Sequence, residues 1–136
     1  MVALTEAKGT KSRDGRDYSR AVAANTRILQ GALVCLNATG YATKGAVATT
    51  LIADGVAKQT VDNTGGADGA VRIEVEKGVF LFANSAAADA ITIAEIGDAC
   101  FIVDDQTVAK TNGGATRSTA GTIVDVDALG VWVRIS

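Results

Sequence analysis

A chain of 136 residues with 48% apolar content is long enough for one domain with a real core, and not for two. It has no histidine and a formal net charge of −2. That removes Ser-His-Asp and Cys-His catalysis, the commonest metal ligand, and any whole-chain attraction to nucleic acid.

Residues 1–20 are polar, glycine-punctuated and free of packing periodicity. They carry Lys8, Lys11, Arg13, Arg16 and Arg20 against Glu6, Asp14 and Asp17. This predicts an extended, exposed N-terminal arm over 1–20 ahead of a single β domain over 21–136. Residues 18–24 alternate weakly and open the sheet. Residues 1–6 lack the basic and apolar regions of an export signal. No run approaches the about 20 apolar residues of a membrane helix. The expectation is a soluble protein made in a reducing cytoplasm, with Cys35 and Cys100 as small buried hydrophobes.

From Ile28 onward the signals are β. Residues 33–36 are a short apolar run, 37–40 a turn and 41–43 a second strand, which together make a hairpin. Residues 50–60 form a strand interrupted by Gly55, and 62–69 a polar, glycine-rich loop. No helix follows that loop and no Lys-Ser/Thr closes it, so it is not a phosphate loop. Residues 71–76 alternate strictly, placing Val71, Ile73 and Val75 toward a core and Arg72, Glu74 and Glu76 toward water. After a bend at Lys77-Gly78, Val79-Phe80-Leu81-Phe82 reads as a more buried strand. The alanines of 84–90 give one short helical stretch. Residues 91–93 return to β, 100–103 are another buried run, and 104–106 turn before 107–109. Residues 121–127 and 130–135 close the chain as a hairpin, with Trp132 as a core anchor. Many short strands between turns predict an all-β fold, a compact small barrel or tulip-like sandwich.

Within this pattern one unit is repeated. Gly31-Ala32-Leu33-Val34-Cys35-Leu36 returns as Gly97-Asp98-Ala99-Cys100-Phe101-Ile102, and Tyr41-Ala42-Thr43-Lys44 as Val108-Ala109-Lys110. Residues 53–57 are echoed by 119–123, and 74–80 by 125–132.

The acids give little chemistry. Asp104 and Asp105 fall in a turn, and alternation puts Asp125 and Asp127 on a solvent face, so no metal, cofactor or small-molecule substrate is expected. The apolar share comes largely from Ala and Val, and a small-residue core buries little area per residue. That favours an oligomer. The basic arm opposes an acidic stretch, 89–127, with seven acids against Lys110 and Arg117. Such asymmetry suits contacts between copies or with a larger partner.

The phrases at 62–69, 75–80, 96–110, 117–127 and 130–133, in that order, resemble the capsid decoration, or cement, proteins of Mu-like and related tailed bacteriophages. The resemblance covers the chain from about residue 27 to the end. It implies a homotrimeric structural protein on the exterior of the virion capsid, bound to the major capsid protein and stabilising the lattice. It implies no enzyme activity, no nucleic acid and no membrane. Given such a role, the charges mark Lys8, Lys11, Arg13 and Arg16, with Tyr18, as a capsid-contact arm, the alternative being an arm that wraps a neighbouring subunit. Val79, Phe80, Leu81 and Phe82, apolar on both faces, are the trimer-interface candidates. The alternatives are a trimeric dUTPase-like hydrolase, echoed only by Ala120-Gly121-Thr122-Ile123-Val124-Asp125, and a phage tail or baseplate β module.

Overall fold

The computed structural model describes residues 2–13 and 15–136; Met1 and Asp14 lie outside the described residues. The fold is all-β, as the sequence predicts. Among the described residues the twelve strands are β1 (Asp17–Ala21), β2 (Arg27–Ile28), β3 (Leu33–Leu36), β4 (Ala42–Lys44), β5 (Ile52–Ala57), β6 (Val61–Asp62), β7 (Arg72–Glu76), β8 (Gly78–Asn84), β9 (Ala99–Ile102), β10 (Thr107–Ala109), β11 (Thr119–Asp127) and β12 (Gly130–Ile135).

The strands form two lobes of one topology. Lobe one is a sheet in the order β1-β7-β5-β3-β4, whose two edges meet at a parallel bridge between Val22 and Ala42. Lobe two is a closed barrel in the order β8-β12-β11-β9-β10, completed by parallel pairing of β10 with β8. Strand for strand, β1 matches β8, β7 matches β12, β5 matches β11, β3 matches β9, and β4 matches β10. A short β2–β6 ribbon is added to lobe one.

The match reaches single residues. Asp54 is the extra residue of a bulge between the Cys35–Ala53 and Val34–Gly55 pairs; Ala120 is the extra residue between Phe101–Thr119 and Cys100–Gly121. Gly31 and Gly97 take positive φ, 89° and 96°, and donate their N–H to the carbonyls of Ala57 and Ile123. The first three sequence echoes therefore mark true counterparts. The fourth does not. Residues 74–80 run from β7 into β8, whereas 125–132 run from β11 into β12, and the true counterpart of β7 is β12.

Two buried clusters fill the lobes. One joins Val22, Ile28, Val34, Ala42, Ile73 and Val75. The other joins Phe82, Cys100, Ile102, Val108, Ile123, Val131 and Val133, and includes Leu33 and Cys35 of β3, so it spans the seam. Leu33 N–H also donates to the Asp105 carbonyl at 2.8 Å across that seam. Cys35 and Cys100 are both free and buried. Burial pushes their thiols up to about 12 and about 11.

The strand over 71–76 alternates as predicted, with Ile73 and Val75 buried and Arg72 and Glu74 exposed. Among the described residues helix is limited to two 3-10 turns, Ala87–Asp89 and Ile93–Glu95. The first falls in the alanine stretch. The second replaces the β expected at 91–93, because Thr92 and Glu95 form a capping box that ties the turn locally.

Candidate functional site

Two surfaces stand out: the root of the arm and the outer face of lobe two. Residues 2–13 carry no strand or helix and are exposed. Regular structure begins at Asp17, so Tyr18 lies in β1, paired with Val75 of β7. At this root Arg16 donates to Glu76 Oε1 from Nε at 3.0 Å and Nη2 at 2.8 Å. The Tyr18 ring lies under three cations: Arg20 at 4.7 Å, Lys77 at 5.3 Å and Arg13 at 5.9 Å from its centroid.

Two of these cations, Arg20 and Lys77, also hold a buried charge. Asp54, only 2% exposed, accepts from Arg20 Nε at 2.7 Å and Nη2 at 2.9 Å, and from Lys77 Nζ at 3.0 Å. Lys77 Nζ also donates to the Asp54 main-chain oxygen at 2.9 Å. Burial by itself would raise the Asp54 carboxyl; the hydrogen bonds from Arg20 and Lys77 outweigh it and hold the group below the usual range. The bond to Asp54 in turn raises Arg20. The network clamps β1, and with it the arm's root, onto β5 and the β7–β8 junction.

Of the predicted arm residues, Arg13, Arg16 and Tyr18 gather at this root, while Lys8 and Lys11 lie out along the exposed segment. Sequence reasoning missed Arg20, Asp54 and Lys77 as a unit. The signal was an acid in mid-strand, Ile52-Ala53-Asp54-Gly55-Val56-Ala57, since a buried carboxylate needs partners.

On β8 the side chains alternate. Phe82 is buried, and Phe80 packs against the same core cluster, while Val79 and Leu81 remain 42% and 39% exposed. The strand is thus half-exposed, not the buried one expected, and of the four interface candidates Phe80 and Phe82 face the core. Across the pairing, Trp132 lies beside Leu81 and Arg134 beside Val79. Trp132 is on this outer face, not a core anchor; its Nε1 donates to Asp127 Oδ2 at 2.9 Å. That bond holds the Asp127 carboxyl below its ordinary value.

The corresponding face of lobe one has the opposite character. The pairing registers set Asp17 against Val79, Ser19 against Leu81, and Glu74 against Trp132 as equivalents. At these three positions one duplicated face is polar and the other apolar, while Arg134, the equivalent of Glu76, keeps a charge on both.

The remaining motifs are structural. Asn63 in the 62–69 loop donates to the carbonyls of Ala23 and Ala67, and a Cβ on Gly66 would lie 2.0 Å from its Oδ1. Asp104 and Asp125 accept from nearby backbone N–H groups. The 120–125 segment is mid-strand in β11. Among the described residues no group of three or more His, Cys, Asp or Glu is placed to hold a metal ion. Among the described residues no helix is long and apolar enough to cross a membrane. The chain matches no family model, no curated protein and no solved structure.

Proposed function

We propose that this chain is a capsid decoration protein of a tailed bacteriophage, bound as a homotrimer to the outer surface of the shell, where it stabilises the lattice without enzymatic activity. The observation that carries the reading is the contrast between the two equivalent faces. Duplicated lobes share a fold, yet Val79, Leu81 and Trp132 stand where the first lobe carries Asp17, Ser19 and Glu74. Exposed apolar area on one of two like faces costs solubility unless a neighbour covers it. A second copy covering it in a closed ring gives the trimer.

The arm supplies the second element. Its backbone joins no strand over 2–13 and its cations, Lys8 and Lys11, are exposed. An extended basic segment is suited to strand addition on the major capsid protein, with Lys8, Lys11, Arg13 and Arg16 meeting acidic capsid groups. Exposed charge pairs are worth only about 0–1 kcal/mol each. Affinity therefore comes from backbone pairing and from three arms acting together. Co-sedimentation with capsids of the encoding phage tests the reading, comparing the whole chain with a variant lacking residues 2–13. Binding by the whole chain and loss by the truncated trimer are expected.

A further inference from the structure

Two strand edges are left bare on the same side of the molecule. β5 pairs with β3 from Ile52 onward, but with β7 only at Val56 and Ala57. Likewise β11 pairs with β9 from Thr119, but with β12 only from Thr122. Residues 52–54 and 119–120 thus each lack a neighbouring strand on one side, while Gly121 already lies against Arg134 of β12. Both stretches border one groove of about 530 Å³.

The two charged side chains of the groove are both cations. Arg117 and Arg134 line it, along with Leu51, Ile52, Thr119, Thr122 and Ser136, and no Asp or Glu side chain does. Arg117 gives Nη1 to Asp89 Oδ2 and the Thr111 carbonyl, but its Nε is buried without a hydrogen-bond partner. Arg134 is exposed and makes no ion pair among the described residues. The lobes differ here too. In lobe one, Lys77 Nζ caps the bare edge by donating to the Asp54 carbonyl. The equivalent of Lys77 in lobe two is Ile135, whose side chain has no proton to give, and Ala120 stands where Asp54 does.

We propose that this groove takes an extended, acidic segment of a protein partner, laid along the bare edge of β11 as an added strand. Its backbone pairs with Thr119 and Ala120, its carboxylates meet Arg117 and Arg134, and its apolar side chains rest on Leu51 and Ile52. Main-chain bonds supply affinity in such addition, and the arginines select for acids. The inference goes beyond capsid decoration and requires neither a capsid nor a trimer.

The test is fluorescence polarisation with three labelled peptides on the whole chain: acetyl-Glu-Val-Thr-Val-Glu-amide, its lysine counterpart, and the glutamate peptide with alternate amides N-methylated. The glutamate peptide is expected to saturate, with the lysine and N-methylated peptides at least about tenfold weaker, the scale of one lost charge-assisted hydrogen bond. Arg134→Gln, an exposed substitution, should weaken the glutamate peptide similarly with an unchanged melting temperature. Arg72→Gln, on the polar face of lobe one, should not. No saturation at millimolar peptide, equal binding of the acidic and basic peptides, or indifference to N-methylation would overturn the proposal. So would equal effects of Arg134→Gln and Arg72→Gln.

Discussion

Gly55 and Gly121 occupy one position in two copies of a fold. A Cβ on Gly55 would lie 2.2 Å from the Glu76 carbonyl oxygen and 2.9 Å from Val75 Cγ1. On Gly121 it would lie 2.3 Å from the Arg134 carbonyl oxygen and 2.9 Å from Val133 Cγ1. Each glycine follows a bulge residue and lets β5 or β11 press against β7 or β12. Gly55 also holds φ at 156°, while Gly121 has no such constraint. Gly121→Ala therefore isolates the steric cost, which should lower stability by about 1–3 kcal/mol. Gly55→Ala should cost more. Chemical denaturation of the two variants reads both values, and a neutral Gly121→Ala would contradict the shared close approach.

The buried charge offers a swap experiment. Asp54, Arg20 and Lys77 have Ala120, Phe82 and Ile135 as their counterparts, so lobe two solves the same packing without ions. Asp54→Ala alone strands two cations and should cost about 3–5 kcal/mol. The triple variant Arg20→Phe, Asp54→Ala, Lys77→Ile should recover most of that loss, because replacing a whole buried ion cluster by apolar groups is often neutral. Thermal melts of the single and triple variants distinguish the two outcomes.

The same carboxylate sets a pH dependence. Its folded pKa lies below the unfolded one. Its contribution to stability is therefore full above the unfolded value of about 3.9 and is lost as pH falls through the lower folded value. Between about pH 5 and pH 2, stability should fall less in Asp54→Ala than in the wild type. Denaturant midpoints across that range check the slope.

The cysteines should be silent. With both thiols buried and pushed up to about 12 and about 11, neither is a thiolate near neutrality. A thiol reagent at pH 8 should label neither Cys35 nor Cys100 until the protein unfolds, and a reductant should leave the melting temperature unchanged.

Much of this was legible in sequence. The echoes of 31–36, 41–44 and 53–57 hold because β3, β4 and β5 recur at the same spacing as β9, β10 and β11. The echo of 74–80 failed because lobe one inserts β6 and the 62–69 loop before β7, whereas β11 turns directly into β12. Spacing then no longer tracks equivalence, and only strand pairing recovers it. The period of β8 was visible, but Val79-Phe80-Leu81-Phe82 is apolar at every position, so alternation could not say which pair faced out. Asp54 was hidden for a related reason: a bulge turns the side chain out of its expected phase.

The apolar face can be probed without a capsid. Val79→Asp with Leu81→Asp should leave circular dichroism unchanged and turn a trimer into a monomer by light scattering. Phe82→Ala should instead unfold lobe two at a cost of about 3–5 kcal/mol. A wild type that is already monomeric at all concentrations would remove the trimer.

The most direct measurement is electron cryomicroscopy of expanded capsids from the encoding phage, imaged with and without the added protein. Threefold density is expected on the outer surface, with Val79, Leu81 and Trp132 at the contacts between copies and residues 2–13 running along the capsid protein. Particles that bind no protein, or density confined to the tail or baseplate, would contradict it.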